Sequence, residues 1–239
     1  MSDTVLLVTP VWNDASRLAN FAPSLAKALA ECELPVHWVI ADDGSSAEEV
    51  AKLDALCNEH RGTFPHIHIH RAEHRGKGHV IRSAWNADEE SDWLAFADCD
   101  GATSAEDILL LIRKAVEESK SVIGVRKRTE STQITESAYR WIFHHGYLWV
   151  VRLLLGLRSE DLQCGAKVFR AEDYRAVSAS LEEDGFCFDT ELLTALKNRG
   201  FGWLEIPINW VEKKGGKVFP LTDSWRMFMG VLRIRRRQG

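Results

Sequence analysis

Trp93-Leu94-Ala95-Phe96-Ala97-Asp98-Cys99-Asp100-Gly101-Ala102-Thr103 sets an unbroken apolar run against two carboxylates separated by one residue. A run that short, wholly apolar and closed by a polar turn reads as a strand buried on both faces. Such strands belong to parallel sheets covered by helices, and their carboxyl ends open into the ligand crevice. Two hard oxygen ligands at that place, with substrate phosphate and water in the remaining positions, are how Mg2+ or Mn2+ is held. Asp98 and Asp100 are therefore candidate metal ligands. Acidic loops produce such pairs by chance, so the position after a buried strand carries the reading.

Outward from this stretch, residues 4–9, 37–41, 67–70 and 122–125 form similar apolar runs. The intervening segments 15–32, 47–60, 78–89 and 105–119 have helical period; Leu18, Phe21, Leu25 and Leu29 recur at three- and four-residue steps. Ser104, three residues before Asp107, resembles a capping box with Asp in place of Glu. Alternating strands and helices predict an α/β fold with a mostly parallel central sheet and helices on both faces. The second half is less regular: a polar stretch at 127–136, an apolar run at 141–157, a helix at 188–198, a strand at 203–208 and a basic amphipathic end. No linker or repeat divides the chain. A single catalytic domain over 1–220 is expected, in two halves, 1–125 and 126–220, followed by a C-terminal helix at 221–239.

The 239 residues, 45% hydrophobic, suffice for one substantial core. A net charge of −5 argues against a nucleic-acid partner, which needs a concentrated basic footprint. Five scattered cysteines without a C-x-x-C pair fit reduced thiols in a cytoplasmic compartment. Neither a signal peptide nor a spanning segment of about 20 apolar residues is visible, so any membrane role is expected to be peripheral. Trp141-Ile142-Phe143-His144-His145-Gly146-Tyr147-Leu148-Trp149-Val150-Val151 suits either a buried helix or an interface, with His144, His145 and Arg152 against a span. Trp225, Phe228, Met229 and Leu232 form an apolar stripe beside Arg226, Arg233, Arg235, Arg236 and Arg237, a composition that favours anionic membrane surfaces.

Further segments could carry chemistry. Asp42-Asp43-Gly44-Ser45 follows an apolar run and suits a base or ribose contact, or equally a turn capping the next helix. Arg75-Gly76-Lys77-Gly78 places two cations and flexible backbone before a helix, suited to phosphate or to a solvated turn, without Walker spacing. Asp161 in Asp161-Leu162-Gln163-Cys164-Gly165, with Asp189 and Glu191 at the start of a helix, are candidate catalytic carboxylates. For the last two, complementing the helix dipole is the alternative.

Taken together, Pro10-Val11-Trp12-Asn13-Asp14, Asp42-Asp43-Gly44-Ser45, Arg75-Gly76-Lys77-Gly78, Asp98-Cys99-Asp100-Gly101-Ala102-Thr103, Asp161-Leu162-Gln163-Cys164-Gly165, Phe188-Asp189-Thr190-Glu191 and Asn209-Trp210 resemble the family 2 glycosyltransferases of the GT-A fold. Within them the likeness is to the polyprenyl-phosphate group that includes dolichyl-phosphate glucosyltransferases and dolichol-phosphate mannose synthases, leaning to the glucosyl branch. The resemblance implies an inverting, metal-dependent hexosyltransferase that uses a nucleotide sugar, UDP-glucose, with polyprenyl phosphate as acceptor. It implies a nucleotide pocket of Pro10, Trp12, Asp14 and Asp43, and metal-diphosphate contacts from Asp98 and Asp100. Ala102 stands where mannosyl synthases have a metal-binding Gln. Lys77, Arg126, Arg140, Gln163 and Lys217 are candidate substrate contacts. A soluble or polysaccharide hydroxyl acceptor would instead require a base such as Asp161, Asp189 or Glu191; a nucleotidyltransferase or a non-catalytic nucleotide-sugar binder are further alternatives.

Overall fold

The computed structural model describes residues 3–213 and 220–238. The chain runs β1 (Val5–Val11), α1 (Ala15–Ala30), β2 (Val36–Asp43), α2 (Ala47–His60), β3 (Ile67–Ala72), α3 (Lys77–Asn86), β4 (Trp93–Ala97), α4 (Ala105–Glu118) and β5 (Ser121–Val125). It continues with β6 (Ile134–Thr135), α5 (Ala138–Leu155), β7 (Ala166–Arg170), α6 (Ala171–Val177), a 3-10 turn, α7 (Phe188–Asn198), β8 (Trp203–Pro207), β9 (Trp210–Val211) and α8 (Pro220–Gln238). The seven-stranded sheet has the order β3-β2-β1-β4-β7-β5-β8. All its pairings are parallel except those of β7, which runs antiparallel to β4 and β5.

Strand alternation explains the two-sided core. Val5 and Leu7 of β1, with Trp38 and Ile40 of β2, point to one face and meet Leu18, Leu25, Leu53, Ile108 and Ile112 from α1, α2 and α4. Leu6 and Val8, with Val39 and Ala41, point to the other and meet Val80, Ile81, Trp85, Phe169 and Leu192. Period two with both phases apolar leaves the strands no solvent face. Ser46, Ser104 and Ser137 cap α2, α4 and α5 by accepting from backbone N–H groups three residues on. At Ser104 the box is altered: the Ser104 hydroxyl also donates to Asp107 Oδ2 at 2.9 Å.

The expected strands and helices of the first half are present with end shifts of a few residues. The second half holds what periodicity did not show, namely β7, α6 and the short parallel pair β6–β9. Trp210 of β9 packs with Ile134 and Ala102, and Val211 N donates to the Ala102 carbonyl at 3.0 Å. That contact ties the loop after β4 to the second half of the chain.

α5 has one buried and one exposed face: His144 and Val151 are buried, while Trp141, Ile142, Trp149 and Leu153 are exposed. In α8 the core seam is Met227, Val231 and Ile234, which leaves the expected stripe at Trp225 and Met229 exposed. Among the described residues no helix is long and apolar enough to cross a membrane. The five cysteines are free thiols.

Candidate active site

β1, β2 and β4 end side by side where the chain order reverses, with β1 between β2 and β4. Loops from the carboxyl ends of neighbouring strands part at such a point and leave a crevice. The candidates Pro10 to Asp14, Asp43, Lys77 and Asp98 to Asp100 all lie at or just after these strand ends or that of β3. The fold brings them to one edge of the sheet.

Lys77, the first residue of α3, places Nζ 2.7 Å from Asp98 Oδ1 and 4.8 Å above the Phe96 ring. Burial pushes its pKa down, but Asp98 and Asp189 outweigh burial and hold the ammonium charged. Gly76, at φ 127°, and Gly78 let this turn pack against residues 183–188; a Cβ at Gly76 would lie 2.6 Å from the Asp184 carbonyl. The carboxylate of Asp184 pairs with Arg75 at 2.6 Å and with Arg82, fixing the turn from the far side. Sequence reading missed Asp184, which has no local motif.

Asp98 N donates to the Gly165 carbonyl at 2.8 Å, and a Cβ on Gly165 would overlap Asp98 Oδ2. The chain just before the antiparallel strand β7 thus needs glycine where it approaches the first aspartate. Asp100 Oδ1 accepts from Ala102 N at 2.9 Å, and Oδ2 lies 3.3 Å from Arg17, whose guanidinium also holds Asp14 at 2.7 Å. Burial and then the neighbouring Asp98 charge raise the Asp100 pKa. Two acids pressed together this way gain from an added cation. Burial pushes the Cys99 thiol up to about 12, so the residue between them is a neutral spacer.

Asp98 keeps 41% of its side chain exposed, and among the described residues no third acid, His or Cys joins the pair. Two hard oxygens on an open face fit Mg2+ or Mn2+, which retain water and phosphate ligands, and do not fit a closed structural site.

On the other side of the crevice, buried Asp43 accepts at Oδ1 from Arg75 N at 3.0 Å and Gly76 N at 3.2 Å. His74 Nδ1 lies 2.8 Å from Oδ2, and its ring stacks on Trp12. The adjacent Asp42 caps the turn, accepting from Ser45 N at 3.0 Å.

The candidate carboxylates of the second half lie in buried ion pairs. Asp161 is buried and meets Arg126 in a two-pronged pair, Nε to Oδ2 at 2.6 Å and Nη2 to Oδ1 at 2.9 Å. Burial pushes the acid up, but the Arg126 guanidinium prevails and holds it down to about 2, too weak for a general base. Asp189 meets the fully buried Lys167 at 2.6 Å, and Lys167 also donates to the Cys164 carbonyl. Glu191, wholly buried, accepts from the backbone N–H groups of Glu182 and Glu183 and from Arg237. All three acids are thus buried and paired with a cation or with backbone N–H groups.

Arg126 and Arg140 both lie close to the Trp210 ring, 5.2 and 5.3 Å from its centroid. Arg140 also lies 3.3 Å from Glu212. Gln163 donates from its backbone to Asp161 Oδ1 and from its side chain toward Met227 Sδ at 3.5 Å. Lys217 and its glycine loop lie outside the described residues.

The model of the family "Glycosyl transferase family 2" matches residues 6–178, a span containing the crevice from β1 to β7. The chain is a family 2 glycosyltransferase. Among its relatives, the dolichyl-phosphate beta-glucosyltransferase of Drosophila melanogaster is 27% identical, covering 92% of this chain and 70% of the relative. The undecaprenyl-phosphate mannosyltransferase of Micrococcus luteus is 25% identical over 89% of this chain and 86% of its own length. Among solved structures, glucosyl-3-phosphoglycerate synthase from Mycobacterium tuberculosis, in complex with Mn2+, UDP and phosphoglyceric acid, superposes with a TM-score of 0.71 at 15% identity. That match covers 99% of this glycosyltransferase and 79% of the synthase. Mannosyl-3-phosphoglycerate synthase from Rubrobacter xylanophilus gives 0.67 at 13%, over 99% and 73%. These likenesses establish the GT-A fold.

Proposed function

We propose that this glycosyltransferase moves glucose from UDP-glucose to a polyprenyl phosphate, with inversion at the anomeric carbon. The observation that carries the reading is the convergence of Asp98, Asp100 and Lys77 at the switch point, with a guanidinium pair around Trp210 on the acceptor side. Relatives named for dolichyl-phosphate glucosyl transfer support the donor and acceptor classes.

In this reading Pro10, Trp12, Asp14 and Asp43 receive the nucleotide, and residues 1–125 form the donor half. Asp98 and Asp100 hold Mg2+ or Mn2+, which would act as Lewis acid and template at the donor diphosphate. Lys77, charged and already on Asp98, shares itself with the diphosphate and adds a cation where negative charge develops. Arg126 is held rigid by Asp161, and Arg140 lies by the same Trp210 ring, so the acceptor phosphate meets a preset cationic face. Gln163 and Lys217 are further substrate contacts, and residues 126–220 form the acceptor half. A lipid phosphate oxygen is already anionic near neutral pH and needs no proton removed. That agrees with the buried ion pairs of Asp161 and Asp189, which position cations, and it disfavours a hydroxyl acceptor.

The exposed faces of α5 and α8, carrying Trp141, Ile142, Trp149, Trp225 and Met229 with Arg152, Arg226 and Arg236, are assigned to peripheral contact with the membrane that holds the acceptor. A cytoplasmic membrane face is the proposed location. The test is transfer of radiolabel from UDP-glucose to polyprenyl phosphate, giving an organic-extractable, mild-acid-labile product with Mn2+ or Mg2+. Asp98→Asn and Asp100→Asn should each lower the rate about 100-fold or more. No product with any nucleotide sugar would refute the function.

A further inference from the structure

His74 stands where a nucleobase would be expected to stand. Its imidazole lies against Trp12 with ring centroids 4.2 Å apart and planes only 10° from parallel. Nδ1 is 2.8 Å from Asp43 Oδ2 and 3.0 Å from the Asp43 carbonyl oxygen. A carbonyl oxygen can only accept, so Nδ1 carries the proton and donates it to Asp43. A flat ring that stacks on an indole and gives a ring N–H to a buried carboxylate makes the two contacts open to uracil, whose single free ring donor is its N3–H.

We infer that His74 is a built-in stand-in for the base: in the free protein it fills the place between Trp12 and Asp43, and the nucleotide binds by displacing it. This rests on the proposed assignment of Trp12 and Asp43 to the donor nucleotide. Asp43 Oδ1 is already engaged by the backbone N–H groups of Arg75 and Gly76. Oδ2 is the oxygen left for a base, and the imidazole holds it. A base that stacks on the same face of Trp12 and donates to Oδ2 takes the volume of the ring.

The surroundings specify how the ring leaves. Gly44 has φ 68°, and a Cβ there would sit 2.6 Å from His74 N, so the His74 backbone is packed onto the turn after β2. The next two residues are pinned by Asp43 itself. The loop therefore stays, and the side chain rotates; 47% of it is exposed, so solvent lies open to it. A ring serving as a fixed wall of the pocket would have no need to aim its N–H at the carboxylate reserved for the ligand. Because only the open state admits the nucleotide, the apparent affinity is reduced by the fraction open.

Calorimetric titration of UDP with Mn2+ into the full chain tests this, comparing wild type with His74→Ala, His74→Phe and Asp43→Asn, each first shown folded by its thermal unfolding. His74→Ala should bind UDP about tenfold more tightly, the order expected when one hydrogen bond and one aromatic contact stop competing. His74→Phe keeps the stack without the donor and should fall between. Unchanged affinity in His74→Ala overturns the inference because the ring then does not compete; weaker affinity overturns it because the ring is then a wall. If Asp43→Asn loses binding while His74→Ala does not gain, the stand-in fails and the nucleotide assignment survives. If UDP binds none of the four folded proteins, the assignment fails and the inference with it.

Discussion

Asp161 and Arg126 show how one buried pair can serve two purposes. Arg126 bridges the end of β5 to Asp161 and presents its face to Trp210. Because Arg126 holds the folded-state acid at about 2, below its ordinary value of 3.8, the pair stabilises the protein above pH 4. That contribution, on the order of 2 kcal/mol, is lost as pH falls from about 4 through about 2. Asp161→Asn leaves the guanidinium buried without a counter-charge and should destabilise the fold at pH 7 by about 3–5 kcal/mol. Urea unfolding at pH 7, 4 and 2.5 reads both effects, with the variant showing the flatter acid dependence. Equal acid dependence in the two proteins would mean that Arg126 does not hold the acid.

At the scale of elements, α8 acts as a clasp as well as a cover. Arg233 pairs with Glu183 at 2.6 Å, and Arg237 reaches both Glu183 and Glu191 at 2.7 Å. Burial raises the Glu191 pKa, so this acid relies on the two backbone N–H groups and on Arg237 to stay ionised. The segment so held leads to Asp184, which braces Arg75 and Arg82, and to α7, which carries Asp189. Arg237→Ala should therefore lower stability by about 2 kcal/mol, since a buried carboxylate loses its cation. It should also reduce transfer, because the Arg75–Gly78 turn is anchored on the same segment. A variant with wild-type unfolding midpoint and wild-type rate would show that α8 merely lies on the surface. The basic C-terminal composition thus divides: Arg233 and Arg237 turn inward to acids, while Arg226, Arg235 and Arg236 remain exposed.

For the molecule as a whole, net charge and local charge point in opposite directions. At −5 the protein is repelled by an anionic bilayer at long range. The exposed faces of α5 and α8 nevertheless concentrate three tryptophans and several arginines, with Trp149 at 66% and Trp225 at 65% exposure. Flotation with phosphatidylglycerol vesicles should show binding that weakens several-fold between about 0.05 and 0.5 M salt, as screening shortens the reach of the arginines. The double substitution Trp149→Ser with Trp225→Ser should abolish most of it without altering UDP affinity. Binding indifferent to both salt and the tryptophans would remove this face as the membrane contact.

The extent to which this was legible from sequence follows from which interactions are local. β4 and the acids after it could be read because a strand buried on both faces writes itself as an unbroken apolar run, and a turn at its end is free to carry charge. The same holds for β1, β2, β3 and β5, and the order of the motifs named the family. β7 could not be read: Lys167 interrupts its apolar pattern, and that lysine is tolerated only because Asp189, 22 residues away, meets it in the core. The roles of Asp161, Asp189 and Glu191 were undecidable for a like reason, since a carboxylate becomes a base or an ion-pair partner according to what the fold sets beside it. Sequence alone determined the α/β layering, the placing of two aspartates directly after a buried strand and the glycosyltransferase family. Tertiary structure alone decided that Gly165 makes room for Asp98, that Arg126 is locked by Asp161 and that His74 lies on Trp12, because each depends on charges and surfaces brought together from distant parts of the chain.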